Sequence, residues 1–73
     1  MYMNHSSETV YNEYGLPINY ETAVELMDDD LREELHRMVD ETWTDQTFFD
    51  RYAAAHLEKF GEEWELAKPN PTF

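Results

Sequence analysis

The spacing of apolar and polar positions changes period twice along this chain. Over Glu8–Tyr14, a β-branched and aromatic mixture of Thr9, Val10, Tyr11 and Tyr14 predicts a short strand. Gly15, Leu16 and Pro17 interrupt it, and Asn19 stands where a helix N-cap is expected. From Tyr20 the period becomes helical. Val24, Met27, Leu31, Leu35 and Met38 recur at spacings of three and four, which draws one apolar stripe. The run Asp28–Asp30 interposes poor helix formers, and Asp30 with Glu33 has the form of a capping box. The pattern predicts a helix over 20–27, a reset, and a second helix over about 29–40. One continuous helix is the alternative, because the stripe keeps its phase.

Thr44 is a second N-cap candidate, with Asp45 in the first turn behind it. Phe48, Phe49, Tyr52, Ala53, His56 and Phe60 then share a helical face, with Phe48, Tyr52, His56 and Phe60 expected to bury against Val24, Leu31 and Leu35. Lys59 in the last turn and Gly61 after it end a helix predicted over 45–60. Beyond Gly61 the order Glu62-Glu63-Trp64-Glu65-Leu66 alternates with period two, the mark of a strand with Trp64 and Leu66 inward. The order β-α-α-α-β predicts a small α+β single domain, its two terminal strands pairing under a three-helix layer to satisfy their backbone groups. The expected boundaries are a flexible N-terminal leader at 1–7, an acidic globular domain at 8–67 and a C-terminal tail at 68–73.

Composition narrows this picture. With 73 residues there is room for one domain, and a chain this short buries only about 60% of its unfolded surface. A hydrophobic content of 41% and an aromatic content of 15% are too high for a disordered acidic tail. The absence of cysteine removes disulfides, thiolate zinc sites and cysteine nucleophiles, so large side chains must supply the stability. Residues 1–7 lack the basic and apolar regions of a signal peptide, and no apolar run approaches the roughly 20 residues of a membrane span. A cytoplasmic protein is expected.

Candidate chemistry is sparse. Glu33-x-x-His36 resembles half of a carboxylate-bridged metal site, but the second pair is missing and the helical wheel turns both residues to water. His56 projects from the aromatic face, where a histidine serves as a base in a pocket or, more commonly, as a core residue hydrogen-bonded to backbone or tyrosine. The aspartate run lacks the glycine and terminal glutamate of an EF-hand loop, and no phosphate loop, nucleophile elbow or HExxH motif is present. The sequence therefore predicts no catalytic residues, no metal and no cofactor. Most aromatic residues read as core. Trp43, between two helices, is the one best placed to anchor a partner.

Charge is the feature that core packing leaves over. Seventeen Asp and Glu against five Lys and Arg give a net charge of −12. Such a field repels phosphate, so direct binding to nucleic acid or to an anionic membrane is not expected. It attracts a basic surface, and could equally serve only solubility. Two segments carry a resemblance, Leu26-Met-Asp-Asp-Asp-Leu-Arg-Glu-Glu-Leu-His36 and Phe48-Phe-Asp-x-Tyr-x-x-x-His-x-x-Lys-Phe-Gly-Glu-Glu-Trp64. They look like short proteins of bacterial mobile elements, and the chain resembles the small acidic anti-CRISPR and antirestriction proteins, several of which imitate DNA. That resemblance carries over no site residue. It implies an inhibitor of a nucleic-acid-binding defence complex that occupies a basic, DNA-binding surface of its partner. The expected contact residues are Glu25, Asp29, Glu33 and Asp40 on the second helical face and Glu62, Glu63 and Glu65 on the last strand. The alternative is a non-enzymatic adaptor of a mobile element that binds one protein through an aromatic patch.

Overall fold

The structure is a computed structural model that describes residues 9–69. The expected leader at 1–7 and residues 70–73 of the expected tail lie outside the described residues. Two strands, β1 (Thr9–Tyr11) and β2 (Pro17–Asn19), form an antiparallel hairpin in which Val10 faces Ile18. Helices α1 (Tyr20–Glu25), α2 (Asp29–His36) and α3 (Asp45–Phe60) follow, and a single 3-10 turn at Glu65–Ala67 closes the fold. The class is α+β with a two-stranded sheet and three helices, as the pattern predicts.

The sheet's second strand is not the one predicted. β1 pairs with the segment that follows Gly15, and the order is β-β-α-α-α. Asn12 is the cause. Its backbone carbonyl accepts from Gly15 N–H at 2.9 Å, and its side-chain Oδ1 accepts from Tyr14 and Leu16 N–H at 2.9 and 3.1 Å. With Gly15 at φ 81°, a conformation that glycine adopts without a Cβ clash, the chain reverses at once and Pro17–Asn19 falls beside β1. The outer edge of β1 is also taken, since the Gln46 side-chain amide both donates to and accepts from the Tyr11 main chain at 2.7 and 2.8 Å. Trp64 and Leu66 do turn inward, being 4% and 1% exposed, but from a 3-10 turn rather than a strand. Alternate burial of two apolar residues fits either geometry.

The helix ends follow local chemistry. Asn19 caps α1 by accepting from Thr22 N–H, Thr44 caps α3 by accepting from Thr47 N–H, and Gly61 ends α3 at φ 75°. The break between α1 and α2 is real. Its cap is Asp28 rather than Asp30, Asp28 Oδ2 accepting from Leu31 N–H at 3.0 Å. That choice lets Asp29 and Asp30 sit in the first turn, where the helix dipole favours them. α2 stops at His36 instead of 40. Past it, Asp40 bonds its own carboxylate to Thr42 N–H and Oγ1, a local turn that competes with the helix.

α3 is the central element, packing on α2, α1 and β1. Phe48, Phe49 and Tyr52 form its buried face with Met27, Leu31, Leu35, Val10, Ile18 and Trp64. Tyr52 and Phe49 both meet the Trp64 ring, at centroid distances of 4.5 and 5.3 Å. Two sequence expectations fail here. Phe60 is 44% exposed and Met38 55% exposed, because α3 runs a turn beyond the core and α2 ends before Met38. His56 is half-buried.

Candidate functional site

Burying a carboxylate without a partner is costly, and this chain avoids it. Among the described residues none is buried, and only Asp45 and Glu63 are even partly covered. The acidic residues predicted as one helical stripe are distributed over three pieces. Glu25 ends α1, Asp29 and Glu33 share a face of α2, and Asp40 lies in the following loop. On α2 the stripe is partly neutralised. Arg32 pairs with Asp29 at 3.1 Å and Arg37 approaches Glu33 at 4.0 Å. Asp40 is held below its ordinary carboxyl value by hydrogen bonds from the Thr42 hydroxyl and backbone, with the Arg51 charge adding to them.

Glu62, Glu63 and Glu65 are not on a strand edge but on the turn that follows α3. They line a groove of about 600 Å³ together with Asp28, which the gap between α1 and α2 brings alongside. Lys68 lines the same groove, but no ion pair joins it to these four carboxylates among the described residues. The two walls are pinned. His56 Nδ1 lies 3.0 Å from the Glu62 carbonyl, and since a carbonyl only accepts, Nδ1 carries the proton. Its ring packs 5.8 Å from Tyr52 and 4.6 Å from Phe60, which is the structural role weighed from sequence. On the other wall, Asp28 N–H donates to the Tyr52 hydroxyl at 2.7 Å, and Arg32 donates to the Val24 carbonyl at 3.1 Å. Burial pushes the Tyr52 phenol above its usual value, and burial together with the Asp45 charge does the same to Tyr20.

The remaining candidates resolve differently. His36 is exposed and its ring packs on Phe48 at 4.9 Å. Among the described residues no three His, Asp or Glu side chains gather as a metal ion would require. Trp43 is half-buried, edge-on to Phe48 at 6.2 Å with the Arg51 guanidinium 5.3 Å over its ring, so its faces are largely occupied. No described helix is long and apolar enough to cross a membrane.

Asn12 is the residue that sequence reasoning missed. It is 5% exposed, and its amide Nδ2 donates to the Leu66 and Lys68 carbonyls at 3.1 and 2.9 Å. Together with the two bonds accepted by Oδ1, it ties the hairpin turn to the turn carrying Glu63 and Glu65. The Asn-x-x-Gly spacing signals the hairpin turn, but nothing local signals a partner 54 residues away.

The geometry therefore defines a small, strongly acidic α+β protein whose exposed chemistry is carboxylate. The family model described as "Anti-CRISPR protein AcrIC5" matches residues 11–64, which runs from the last residue of β1 through β2 and all three helices to Trp64, just before the 3-10 turn. The chain belongs to this anti-CRISPR family. No curated protein matches it.

Proposed function

We propose that the protein inhibits a CRISPR–Cas effector complex by laying its acidic surface on a basic surface that otherwise holds nucleic acid. The observation that carries this reading is the density of exposed negative charge on a small body. A net charge of −12 on a molecule of 41 × 29 × 20 Å is, projected on its long axis, one charge per about 3.4 Å. B-DNA carries one per about 1.7 Å of axis, so the protein reaches about half that density. Inhibition by occupancy needs no catalysis, metal or cofactor, and places the protein in the cytoplasm of the host cell. Glu25, Asp29, Glu33 and Asp40, and Glu62, Glu63 and Glu65 after α3, are the proposed contacts, and of these Asp29 and Glu33 are offset by ion pairs with Arg32 and Arg37.

The test measures association with a purified effector complex that the protein inhibits, at several salt concentrations and against a competing target duplex. Two double charge reversals are compared, Asp29→Lys with Glu33→Lys and Glu62→Lys with Glu65→Lys. Association is expected to slow with salt and to compete with the duplex. The reversal at 62 and 65 should slow it by about tenfold or more, the reversal on α2 by less. Binding that ignores salt, survives both reversals and coexists with the duplex would overturn the proposal in favour of an adaptor that uses apolar contacts.

A further inference from the structure

The groove beside Glu62–Glu65 combines two features that charge alone does not require. Its rim sets four carboxylates, Asp28, Glu62, Glu63 and Glu65, against one cation, Lys68, with which none of them forms an ion pair, while Leu26 and Phe60, 49% and 44% exposed, present large apolar surface to it. An exposed phenylalanine at the end of a helix adds nothing to an acidic surface meant only to repel or attract at long range. An aromatic face next to unpaired carboxylates is the complement of one side chain in particular. A guanidinium stacks flat on the ring while its N–H fork meets a carboxylate through two parallel bonds, whereas an ammonium can sit over a ring as a point charge but neither stacks flat nor pairs through a fork. An apolar occupant would strip water from the carboxylates without replacing it, and an anion would be repelled.

We propose that this groove receives an arginine side chain of the partner, its guanidinium stacking on Phe60 and pairing with the carboxylates of Glu62, Glu63 and Glu65. The proposal rests on the reading that the partner surface is basic, and it locates the short-range anchor within that surface. At about 600 Å³ the groove is larger than one side chain, so it admits the arginine together with neighbouring atoms of the partner. The walls are preformed by the His56–Glu62 and Asp28–Tyr52 hydrogen bonds, so little ordering is left to do on binding. The molecule already uses the same contacts elsewhere. Arg51 lies over Trp43 at 5.3 Å, and Phe60 itself already attracts a cation, the exposed Lys59 lying 5.5 Å from its centroid, a flexible side chain that the incoming guanidinium would displace.

The experiment titrates the full 73-residue protein with two peptides, acetyl-Gly-Arg-Gly-Arg-Gly-amide and its lysine counterpart, and follows the chemical shifts of the His56 and Phe60 rings and of the amides at 62–65. The arginine peptide is expected to bind about two- to fivefold more tightly, with the largest shifts in the groove. Phe60→Ala and Phe60→Leu should both abolish the preference for arginine. The leucine variant retains apolar bulk and guards against a loss caused by unfolding. Glu62→Gln with Glu65→Gln should weaken both peptides. Equal affinity for the two peptides, or shifts centred on Asp29 and Glu33, would overturn the proposal. That outcome leaves the inhibitory reading intact, because the latter is judged separately by competition between the protein and target duplex on the effector complex.

Discussion

Replacing Asn12 by alanine should loosen the molecule more than its size suggests. The substitution removes four hydrogen bonds, two donated by Nδ2 and two accepted by Oδ1. A typical internal hydrogen bond contributes about 0.5–1.5 kcal/mol net, and a buried group left without a partner costs about 1–3. The Leu66 carbonyl is the most buried of the four partners, while Tyr14 N–H can recover water because Tyr14 is 54% exposed. A total loss of about 3 kcal/mol follows. A 73-residue domain has about 4–11 kcal/mol of stability at the usual value per residue, so the change removes a large share. At about 4–8 °C per kcal/mol for a domain of this size, the melting temperature should fall by roughly 12–24 °C. Calorimetry or circular dichroism measures it, and amide exchange should show lost protection at residues 66–68. Asn12→Asp separates the donors from the acceptors. It retains both acceptors but faces two carbonyls with a carboxylate, so its folded-state pKa is raised. Its penalty relative to wild type should be full at neutral pH and diminish as pH falls through that raised value. A melting temperature for Asn12→Ala within about 4 °C of wild type would refute the reasoning, because it would mean that the two turns are held by apolar packing alone.

Two further measurements test the core. Phe49→Ala, at a 1% exposed position against Trp64, should cost about 3–5 kcal/mol, whereas Phe60→Ala should cost under about 1 kcal/mol. Comparable losses in the two urea melts would mean that the phase of α3 is wrong. Above pH 10, stability should decline. Burial keeps the Tyr52 and Tyr20 phenols neutral past their ordinary value of 10.0, so the contribution is complete below pH 10 and is lost as pH rises through the raised values, the unfolded chain releasing its protons first. Absorbance of phenolate against pH should show late-titrating tyrosines in the folded protein, and a single transition at the ordinary value would contradict the packing around Tyr52.

The features legible in the sequence are those decided within one turn of chain. Asn19, Thr44 and Gly61 act on backbone groups a few residues away, and each helix end they mark stands where the spacing puts it. The helical period buried Met27, Leu31 and Leu35, and the carboxylates stayed outside because burial without a partner costs too much. The strand partner of β1 was not legible, because several segments could satisfy its backbone equally and the Asn12 turn made the nearest one available first. Nor did alternation at Trp64 and Leu66 reveal a 3-10 turn, since two inward residues fit both geometries and the choice fell to Asn12, reaching across 54 residues to the Leu66 carbonyl. The pattern of repeated spacing also placed Phe60 in the core and Asp40 on a helix, when the length of α3 leaves Phe60 in water and the Asp40–Thr42 turn puts Asp40 in a loop. The acidic composition was fixed by the residues themselves. Which carboxylates stand unpaired beside an exposed aromatic ring was decided by tertiary contacts, because Asp28 and Glu65 lie 37 residues apart and meet only where α1 gives way to α2 against the end of α3.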